Sequence, residues 1–416
     1  MSLSIVRLAG LVSVASALGC GSTSAPPVSA PAVVEAVEEP AEGQQEALDA
    51  ILRKLDSGQV GSVLFWPTDE RRVAFKHMEA LMPARRVAAG EEPYPLAEAP
   101  LDLDGVEYRL GGETHTVGEL VGRSACIGLI VVQDDTVLFE HYASGNDRDT
   151  RWVSFSITKS VTSMLIGAAI QDGFIESVEE PVVHYLPRLR GSAYEGATIE
   201  NVLQMASGVE WNEDYGDPTS DVVRAGAANG LALTRYLARL DRAHEPGSTF
   251  NYNTGETNLA GDILRAAIGN NASTYLSHKI WRTFGMESDA SWLLGSPGGG
   301  ETGGCCLSAT LRDYARIGLF AMNGGRLRDG TRVLPEGWMD ASTARSRGAP
   351  FYGYLWWLGR DESYRAIGIF GQRIVVDAAN NLVIAAQSNA DAAVGTEYER
   401  HLDGAVAALR VALAKE

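Results

Sequence analysis

The sequence has few cations, few cysteines and no apolar run that is long enough to span a membrane comfortably. Its 35 lysines and arginines stand against 53 aspartates and glutamates, so the formal net charge is −18. Clusters of lysine and arginine supply the attraction to nucleic acid and to anionic membrane surfaces. No such cluster occurs, and nucleic acid is therefore excluded as the main partner.

Common catalytic and nucleotide-binding motifs are also missing. No G-x-S-x-G, H-E-x-x-H or P-loop pattern occurs, which excludes the usual α/β-hydrolases, zinc proteases and P-loop nucleotide-binding proteins. Residues 298–303 spell G-x-G-x-x-G, but no predicted strand leads into them and no βαβ unit surrounds them. We therefore expect no dinucleotide site.

The first twenty residues predict an export signal. A single cation, Arg7, precedes an apolar stretch over about Leu8–Leu18, and small residues follow before Cys20. The segment Ala17–Cys20 is similar to a bacterial lipobox, in which the cysteine thiol is acylated. Ordinary cleavage after Ala17 is the alternative. We expect an exported protein that touches a membrane only through lipid on Cys20, or else a soluble periplasmic or secreted protein.

The predicted organisation has three parts. A signal peptide over 1–19 is followed by residues 20–45, which are rich in Ser, Pro, Ala, Val and Glu without an apolar period. Such a composition indicates a disordered tether. Residues 46–416 then form the folded domain.

The remaining cysteines argue against a zinc or thioredoxin-type site, because the chain contains no C-x-x-C pair. Adjacent Cys305 and Cys306 could pair only under strain, and one of them could instead reach Cys126. We interpret the three cysteines as buried free thiols.

Strand patterns near both ends of the folded domain predict one shared sheet. Cys126–Val132 and Thr136–Tyr142 are apolar runs around a turn signal, which is typical of an antiparallel hairpin. A three-strand meander is expected over Tyr352–Leu358, Tyr364–Asp377 and Leu382–Gln387. A closing helix over about 396–414 follows, and a helical insert fills about 157–320. This order favours one sheet built from both ends of the domain.

The segment Ser156-Ile-Thr-Lys159 spells S-x-x-K at the start of a predicted helix. Apolar residues follow at helical spacing as far as Gly173, so Lys159 lies one turn beyond Ser156. The amine can then reach the hydroxyl, and the helix N-terminus offers N–H groups to a developing oxyanion. A nucleophile with its base is one interpretation, and an N-cap serine beside an exposed lysine is the other.

Two later segments contain further candidates. Tyr252 lies in the segment Tyr252–Glu256 before a predicted helix. A phenol beside a lysine ammonium can lose part of its pKa of about 10 and pass a proton to a leaving group. An ordinary half-buried loop tyrosine is the alternative. Glycines interrupt a strand over residues 366–372, which indicates close approach of a ligand or of another backbone, or a bulge.

Together these motifs resemble the serine β-lactamase and penicillin-binding-protein superfamily, on the side of its class C β-lactamases and esterases. The resemblance is strongest to the 6-aminohexanoate-dimer hydrolase-like branch, through S-x-[ST]-K-S, Y-N-[ST]-G-[ED], the segment Gly304–Arg316 and a late G-x-x-G-Q. It runs from about Ser62 to the C-terminus. It implies the β-lactamase/transpeptidase-like fold of the α/β (α+β) class, with an antiparallel sheet flanked by helices and a helical subdomain.

The resemblance also implies a role for each motif residue. Ser156 would be the acylated nucleophile, Lys159 its general base and Tyr252 the proton shuttle. The backbone N–H groups of Ser156 and Ile369 would form the oxyanion hole. Gly368 and Tyr215 are the expected substrate-binding residues. Acyl transfer through these groups needs no metal and no cofactor.

Two positions depart from the lactamase pattern. Thr254 stands where lactamases of this class usually have Asn, and Ala366–Gly368 replaces their Lys-Thr-Gly. The missing lysine would help to bind a substrate carboxylate. Efficient β-lactam hydrolysis is therefore not expected unless Arg365 or Arg373 turns towards the site.

The sequence thus predicts a serine hydrolase that cleaves an amide or ester bond of a small molecule through an acyl-enzyme on Ser156, as in 6-aminohexanoate-oligomer hydrolases. A β-lactamase, a carboxylesterase or a D-amino-acid peptidase would use the same residues. A surface binding lipoprotein without turnover is the alternative from another class. Specificity among the enzymes depends on loop shape, which motifs do not encode.

Overall fold

The computed structural model describes residues 42–56 and 62–415. The predicted signal peptide over 1–19, Cys20 and the tether as far as residue 41 lie outside the described residues. The predicted end of the tether at residue 45 is wrong, because helix α1 begins at Glu42. Leu48, Ile51 and Leu55 recur at helical spacing in this segment, and Leu48 and Ile51 are buried.

The described residues form helices and strands in mixed order. The helices are α1 Glu42–Asp56, α2 Thr68–Ala74, α3 Met78–Leu81, α4 Val117–Val121, α5 Ile157–Gln171, α6 Val182–Tyr185, α7 Ile199–Leu203, α8 Asp221–Ala225, α9 Gly230–Leu237, α10 Thr254–Ile268, α11 Ala272–Leu276, α12 Leu311–Met322, α13 Trp338–Ser342 and α14 Glu397–Ala412. The strands are β1 Ala84–Val87, β2 Ala97–Glu98, β3 Glu107–Leu110, β4 Glu113–Thr116, β5 Cys126–Gln133, β6 Thr136–Tyr142, β7 Trp152–Val153, β8 Ala290–Leu293, β9 Leu307–Ala309, β10 Trp357–Leu358, β11 Tyr364–Gly368, β12 Gln372–Asp377 and β13 Leu382–Ser388. In this part of the chain, no helix combines the length and the apolar character that a bilayer span requires.

The main sheet joins strands from both ends of the domain. Its order is β10-β11-β12-β13-β5-β6-β2, and its neighbours are antiparallel except for β2, which runs parallel to β6. Because β13 pairs with β5, the prediction of one sheet built from both ends is confirmed. Two smaller sheets have the orders β1-β8-β9-β7 and β3-β4.

The predicted hairpin and closing helix are both found. Asp134 and Asp135, which connect β5 to β6, have φ of 48° and 58°. Positive φ at both central residues is the geometry of a type I′ turn, whose twist suits a tight hairpin. Thr396 caps α14 in a reciprocal capping box with Glu399.

Three details of the predicted fold are wrong. The predicted strand over Tyr352–Leu358 is limited to β10, because the chain bends at residues 354–355. The predicted strand over Tyr364–Asp377 is two strands, β11 and β12, because residues 369–371 form a turn in which Phe370 has φ of 62°. The region of about 157–320 is not purely helical, since β8 and β9 lie within it and pair with each other and with β1 and β7. Both strands are short and buried along their whole length, so they show no alternation of apolar and polar residues.

The expectation of buried free thiols is wrong for Cys305 and Cys306 and confirmed for Cys126. Cys305 and Cys306 are joined in a disulfide between adjacent residues, with their Cα atoms 3.4 Å apart. Cys126 is a buried free thiol on β5, where it packs in a different apolar cluster from Cys306. The separation of these two clusters explains why neither neighbour pairs with Cys126.

Helix α5 lies at the centre of the molecule and positions the site. Every residue from Ile157 to Ala169 is buried, and the helix packs against α10 on one side and against β11 and β12 of the main sheet on another. A helix buried all round has no face in solvent, so its polar residues must be satisfied inside the protein. Accordingly, hydrogen bonds to buried groups are made by Thr158, Lys159, Ser160 and Thr162. The N-terminus of α5 therefore lies where the sheet and the helical region meet.

Candidate active site

Ser156 lies at a sharp turn between strand β7 and helix α5. It is the N-cap residue of the helix and is half-buried, while its neighbours Phe155 and Ile157 are buried. Phe155 has φ of 47°, in the left-handed region that non-glycine residues rarely adopt. Backbone strain of this kind is concentrated at functional sites, and here it presents the Ser156 hydroxyl at the end of the helix.

Lys159 lies one turn into α5 and is 2% exposed. Its Nζ donates hydrogen bonds to Thr254 Oγ1 and to the carbonyl oxygen of Gly304, both at 2.9 Å. Burial lowers the pKa of the lysine to about 8, although the charge of Glu213 acts in the opposite direction. A substantial fraction of the amine is therefore neutral near pH 8, as a general base requires.

Gly304 allows this lysine contact. A Cβ atom at position 304 would lie 2.9 Å from Lys159 Nζ and 3.1 Å from Asn258 Oδ1. Asn258, one turn after Thr254 on α10, accepts a hydrogen bond of 2.8 Å from the Gly304 N–H and donates one to the carbonyl oxygen of Gly226. The acceptor of the lysine is thus held in place from the same helix that carries Thr254.

Tyr252 faces Ser156 from the segment before α10. Its phenol interacts with the Ser156 hydroxyl, and Lys159 Nζ lies 5.3 Å from the centroid of its ring. Burial, followed by the charge of Glu213, raises the pKa of Tyr252 far above 10, and the interaction with Ser156 opposes this only in part. The expected lowering of this pKa is therefore wrong, because burial and the charge of Glu213 outweigh the interaction with Ser156. Tyr252 remains a protonated phenol, which can donate a proton but does not act as a phenolate.

Ile369 follows the end of β11, next to the start of α5. Gly368 permits this proximity, because a Cβ atom there would lie 2.3 Å from the carbonyl oxygen of Ser154. The close approach indicated by the glycine is thus that of another backbone. Across the described residues, the N–H groups of Ser156 and Ile369 donate to no backbone or side-chain acceptor. Both remain available to an oxyanion.

Glu213 is a residue of this site that the sequence analysis missed. Its Oε1 accepts from Thr254 Oγ1 and, at 2.7 Å, from the Tyr215 hydroxyl. Its Oε2 accepts from the backbone N–H of Thr254 at 3.0 Å and from Trp211 Nε1. No motif contains Glu213, and the signal that could have found it is its position two residues before Tyr215.

Tyr215, predicted to bind substrate, is half-buried beside Tyr252 and is bonded to Glu213. The structure therefore brings Ser156, Lys159, Tyr252 and Tyr215 together, and it places Gly368 and Ile369 against the segment that leads to Ser156. A direct role of Tyr215 or Gly368 in substrate binding stays a prediction.

One wall near Tyr252 is aromatic. The Tyr252 ring stacks on Trp357 with a centroid distance of 5.6 Å, and Trp357 stacks on the exposed Phe351 at 6.3 Å. Arg365 and Arg373 do not supply the missing cation, since both face α14. Arg365 lies 3.9 Å from an Asp403 carboxylate oxygen, and Arg373 lies 3.3 Å from one of Glu399.

Comparisons with known proteins identify the family and the fold of this chain. A family model described as beta-lactamase matches residues 114–408. The chain is 29% identical over an alignment of 337 positions to the 6-aminohexanoate-dimer hydrolase of Paenarthrobacter ureafaciens. The match covers 75% of this chain and 84% of that protein.

Solved structures with less sequence similarity establish the fold. A Bacillus anthracis protein assigned provisionally as a 6-aminohexanoate-dimer hydrolase has a TM-score of 0.73 at 20% identity, covering 86% of this chain and 100% of that one. A family VIII carboxylesterase has a TM-score of 0.52 at 16% identity, covering 70% of this chain and 93% of that one. The predicted β-lactamase/transpeptidase-like fold is thereby confirmed.

The environment of Lys159 predicts a pH dependence. A base whose pKa is about 8 is inactive when protonated, so kcat/KM for a p-nitrophenyl ester should rise as the pH increases through about 8 and then level off. The measurement is a pH–rate profile corrected for spontaneous hydrolysis. A limb near pH 4–5, about where free carboxylates titrate, would identify a different base.

Proposed function

The chain belongs to the beta-lactamase family of serine hydrolases, and we propose that it cleaves amide or ester bonds of small, uncharged substrates through an acyl-enzyme on Ser156. The observation that carries this proposal is the convergence of Ser156, Lys159 and Tyr252 beside two backbone N–H groups without a partner among the described residues. The 6-aminohexanoate-dimer hydrolase relative, together with the preference for uncharged substrates, makes a linear aminohexanoate amide with both ends capped the first candidate substrate.

The proposed reaction begins with attack by Ser156 Oγ on the substrate carbonyl carbon while neutral Lys159 takes the hydroxyl proton. The N–H groups of Ser156 and Ile369 stabilise the oxyanion of the tetrahedral intermediate. Tyr252 donates its phenol proton to the leaving group as the bond to the carbonyl carbon breaks, and it recovers a proton from the Lys159 ammonium. Water then attacks the ester on Ser156 with Lys159 as base, which releases the acid and restores the serine.

The preference for uncharged substrates is supported by the region that replaces Lys-Thr-Gly. Ala366 carries no charge, and Arg365 and Arg373 are turned to acidic groups on α14. A substrate carboxylate would therefore lack a charge-assisted contact, which contributes roughly 1.5–3 kcal/mol. The aromatic wall of Tyr252, Trp357 and Phe351 offers apolar contact instead.

The first test is a hydrolysis screen with nitrocefin, a p-nitrophenyl ester and the linear aminohexanoate amide with both ends capped. We expect kcat/KM for the amide or the ester to exceed that for nitrocefin. Ser156→Ala and Lys159→Ala should each lower kcat by at least ~10³, and the double variant should be scarcely worse, because the two residues act as one unit. Ser163→Ala is the matched control, since its hydroxyl lies on the same helix and has no partner in the described residues. Nitrocefin turnover well above both other substrates would favour a β-lactamase.

The second test separates the leaving groups. Tyr252→Phe should lower amide cleavage about tenfold or more beyond its effect on the p-nitrophenyl ester, because an amine must be protonated to leave and a nitrophenolate need not be. Tyr352→Phe, which removes the hydroxyl from a neighbouring ring 6.3 Å away, should affect both substrates alike. Equal losses in the Tyr252 variant would reduce this tyrosine to a positioning role.

We also propose that the protein is exported and anchored by lipid on Cys20, a proposal supported by the segment Ala17–Cys20. Cys20→Ser should move the protein from the membrane fraction to the soluble fraction, and the intact mass of the mature wild-type chain should correspond to a lipidated Cys20. An unmodified N-terminus at Leu18 would contradict the anchor and favour ordinary cleavage.

A further inference from the structure

We propose that Glu213 is a positioning residue of this site: it fixes the direction of the hydrogen bond between Thr254 and Lys159, so that the lysine lone pair stays free for Ser156. This inference rests on the proposed acyl-enzyme reaction. It concerns a carboxylate that touches neither the nucleophile nor the phenol in the described contacts and that acts through the Thr254 hydroxyl.

The four donors around Glu213 define its state. Two donors approach each oxygen: the Thr254 and Tyr215 hydroxyls at Oε1, and the Thr254 backbone N–H and Trp211 Nε1 at Oε2. An ionised carboxylate offers about four lone-pair sites and has no proton to donate. With every site used by a donor, Glu213 is purely an acceptor.

This acceptor determines what Thr254 does. A threonine hydroxyl has one proton, and in this site Thr254 gives that proton to Glu213 Oε1. The oxygen of Thr254 can then only accept from Lys159 Nζ, which lies 2.9 Å away. Without Glu213, the same hydroxyl could rotate and donate to the amine.

The consequence for Lys159 follows from the valence of a neutral amine. A neutral –NH₂ group has two N–H donors and one lone pair. Both donors are used, one by Thr254 Oγ1 and one by the carbonyl oxygen of Gly304. The lone pair is left for a third direction, and Ser156 lies one helical turn away on the same helix. A hydroxyl donated by Thr254 would occupy that lone pair and disable the base.

The charge of Glu213 adds a second effect. It raises the pKa of Lys159 against the larger opposing effect of burial. The Tyr252 ring lies next to the amine, and the Tyr215 hydroxyl is bonded to Glu213. Burial raises the pKa of both phenols far above 10, so both stay neutral. Removal of the Glu213 charge should therefore lower the pKa of Lys159.

The first experiment measures this pKa without turnover. The chain has five lysines, so the side-chain signals of ¹³C-labelled lysine are resolvable, and the Lys159 signal is assigned by its loss in Lys159→Met. Glu213→Gln should lower the Lys159 pKa by on the order of 1 unit. Asp214→Asn removes a negative charge from the exposed residue next to Glu213, and this change should leave the Lys159 pKa unchanged. An unchanged Lys159 pKa in Glu213→Gln, or equal shifts in both variants, would contradict the claim that the charge of Glu213 raises the pKa of Lys159.

The second experiment tests the hydrogen-bond direction. Glu213→Met removes the acceptor and should lower the plateau kcat for a p-nitrophenyl ester at least about tenfold, with little change in KM. In a Thr254→Asn background the side-chain amide oxygen accepts from the lysine without help from Glu213. There, Glu213→Met should lower the plateau kcat less than about threefold. Thr254→Val keeps the shape of threonine but removes its hydroxyl. The losses of kcat caused by Thr254→Val and by Glu213→Met should therefore be non-additive in the double variant. Full, multiplicative losses in both backgrounds would contradict the proposal.

The two proposals fail in different ways. If the wild-type chain hydrolysed neither ester nor amide, the proposed function would be contradicted. If Glu213→Gln still lowered the Lys159 pKa, the coupling of Glu213 to Lys159 would be supported all the same. The Glu213 inference alone would be contradicted by a different set of results. These are normal hydrolysis by the wild-type chain, no change of the Lys159 pKa in Glu213→Gln, and no smaller loss of kcat in the Thr254→Asn background.

Discussion

The burial of the Lys159 amine is the constraint on which the rest of the site depends. Burial lowers the pKa of the amine to about 8, and the amine remains stable in the interior only because Thr254 and Gly304 accept its hydrogen bonds. These acceptors come from α10 and from the segment before β9, so two elements must converge on α5. A shift of either element would leave a buried polar group unpaired, at a cost of roughly 1–3 kcal/mol. The packing of three distant segments and the basicity of the lysine are thus parts of one arrangement.

The same close packing shapes the opposite side of the site. The end of β11 approaches the carbonyl oxygen of Ser154 so closely that position 368 has no room for a side chain. The strand cannot continue straight past this point, and a turn with Phe370 in the left-handed region separates it from β12. On the other side of the contact, Phe155 adopts positive φ just before Ser156. Two unusual backbone conformations therefore meet where the backbone N–H groups of Ser156 and Ile369 remain without an acceptor in the described part of the chain.

Local spacing made part of this site predictable. Ser156 and Lys159 are one helical turn apart, and the apolar residues after them indicate the helix that sets their relation. The hairpin of β5 and β6 was likewise indicated by two aspartates between apolar runs. The lower pKa expected for Tyr252 was wrong, because sequence shows neither the depth of burial nor the charge of Glu213. Glu213 itself lies in a loop without a motif, and its role depends on a contact between residues 41 positions apart.

The distribution of charge around the site bears on which substrates fit it. The arginines nearest to the missing lysine are already paired with Glu399 and Asp403 on α14, so a substrate could recruit them only by breaking these contacts. Among the described residues, Glu213 is the charged group that acts on Lys159, and its lone pairs are filled by four donors. The net charge of −18 adds no attraction for an anion at longer range. Under the proposed function, apolar contact with the aromatic wall takes the place of that charge contact, which is why we propose uncharged substrates.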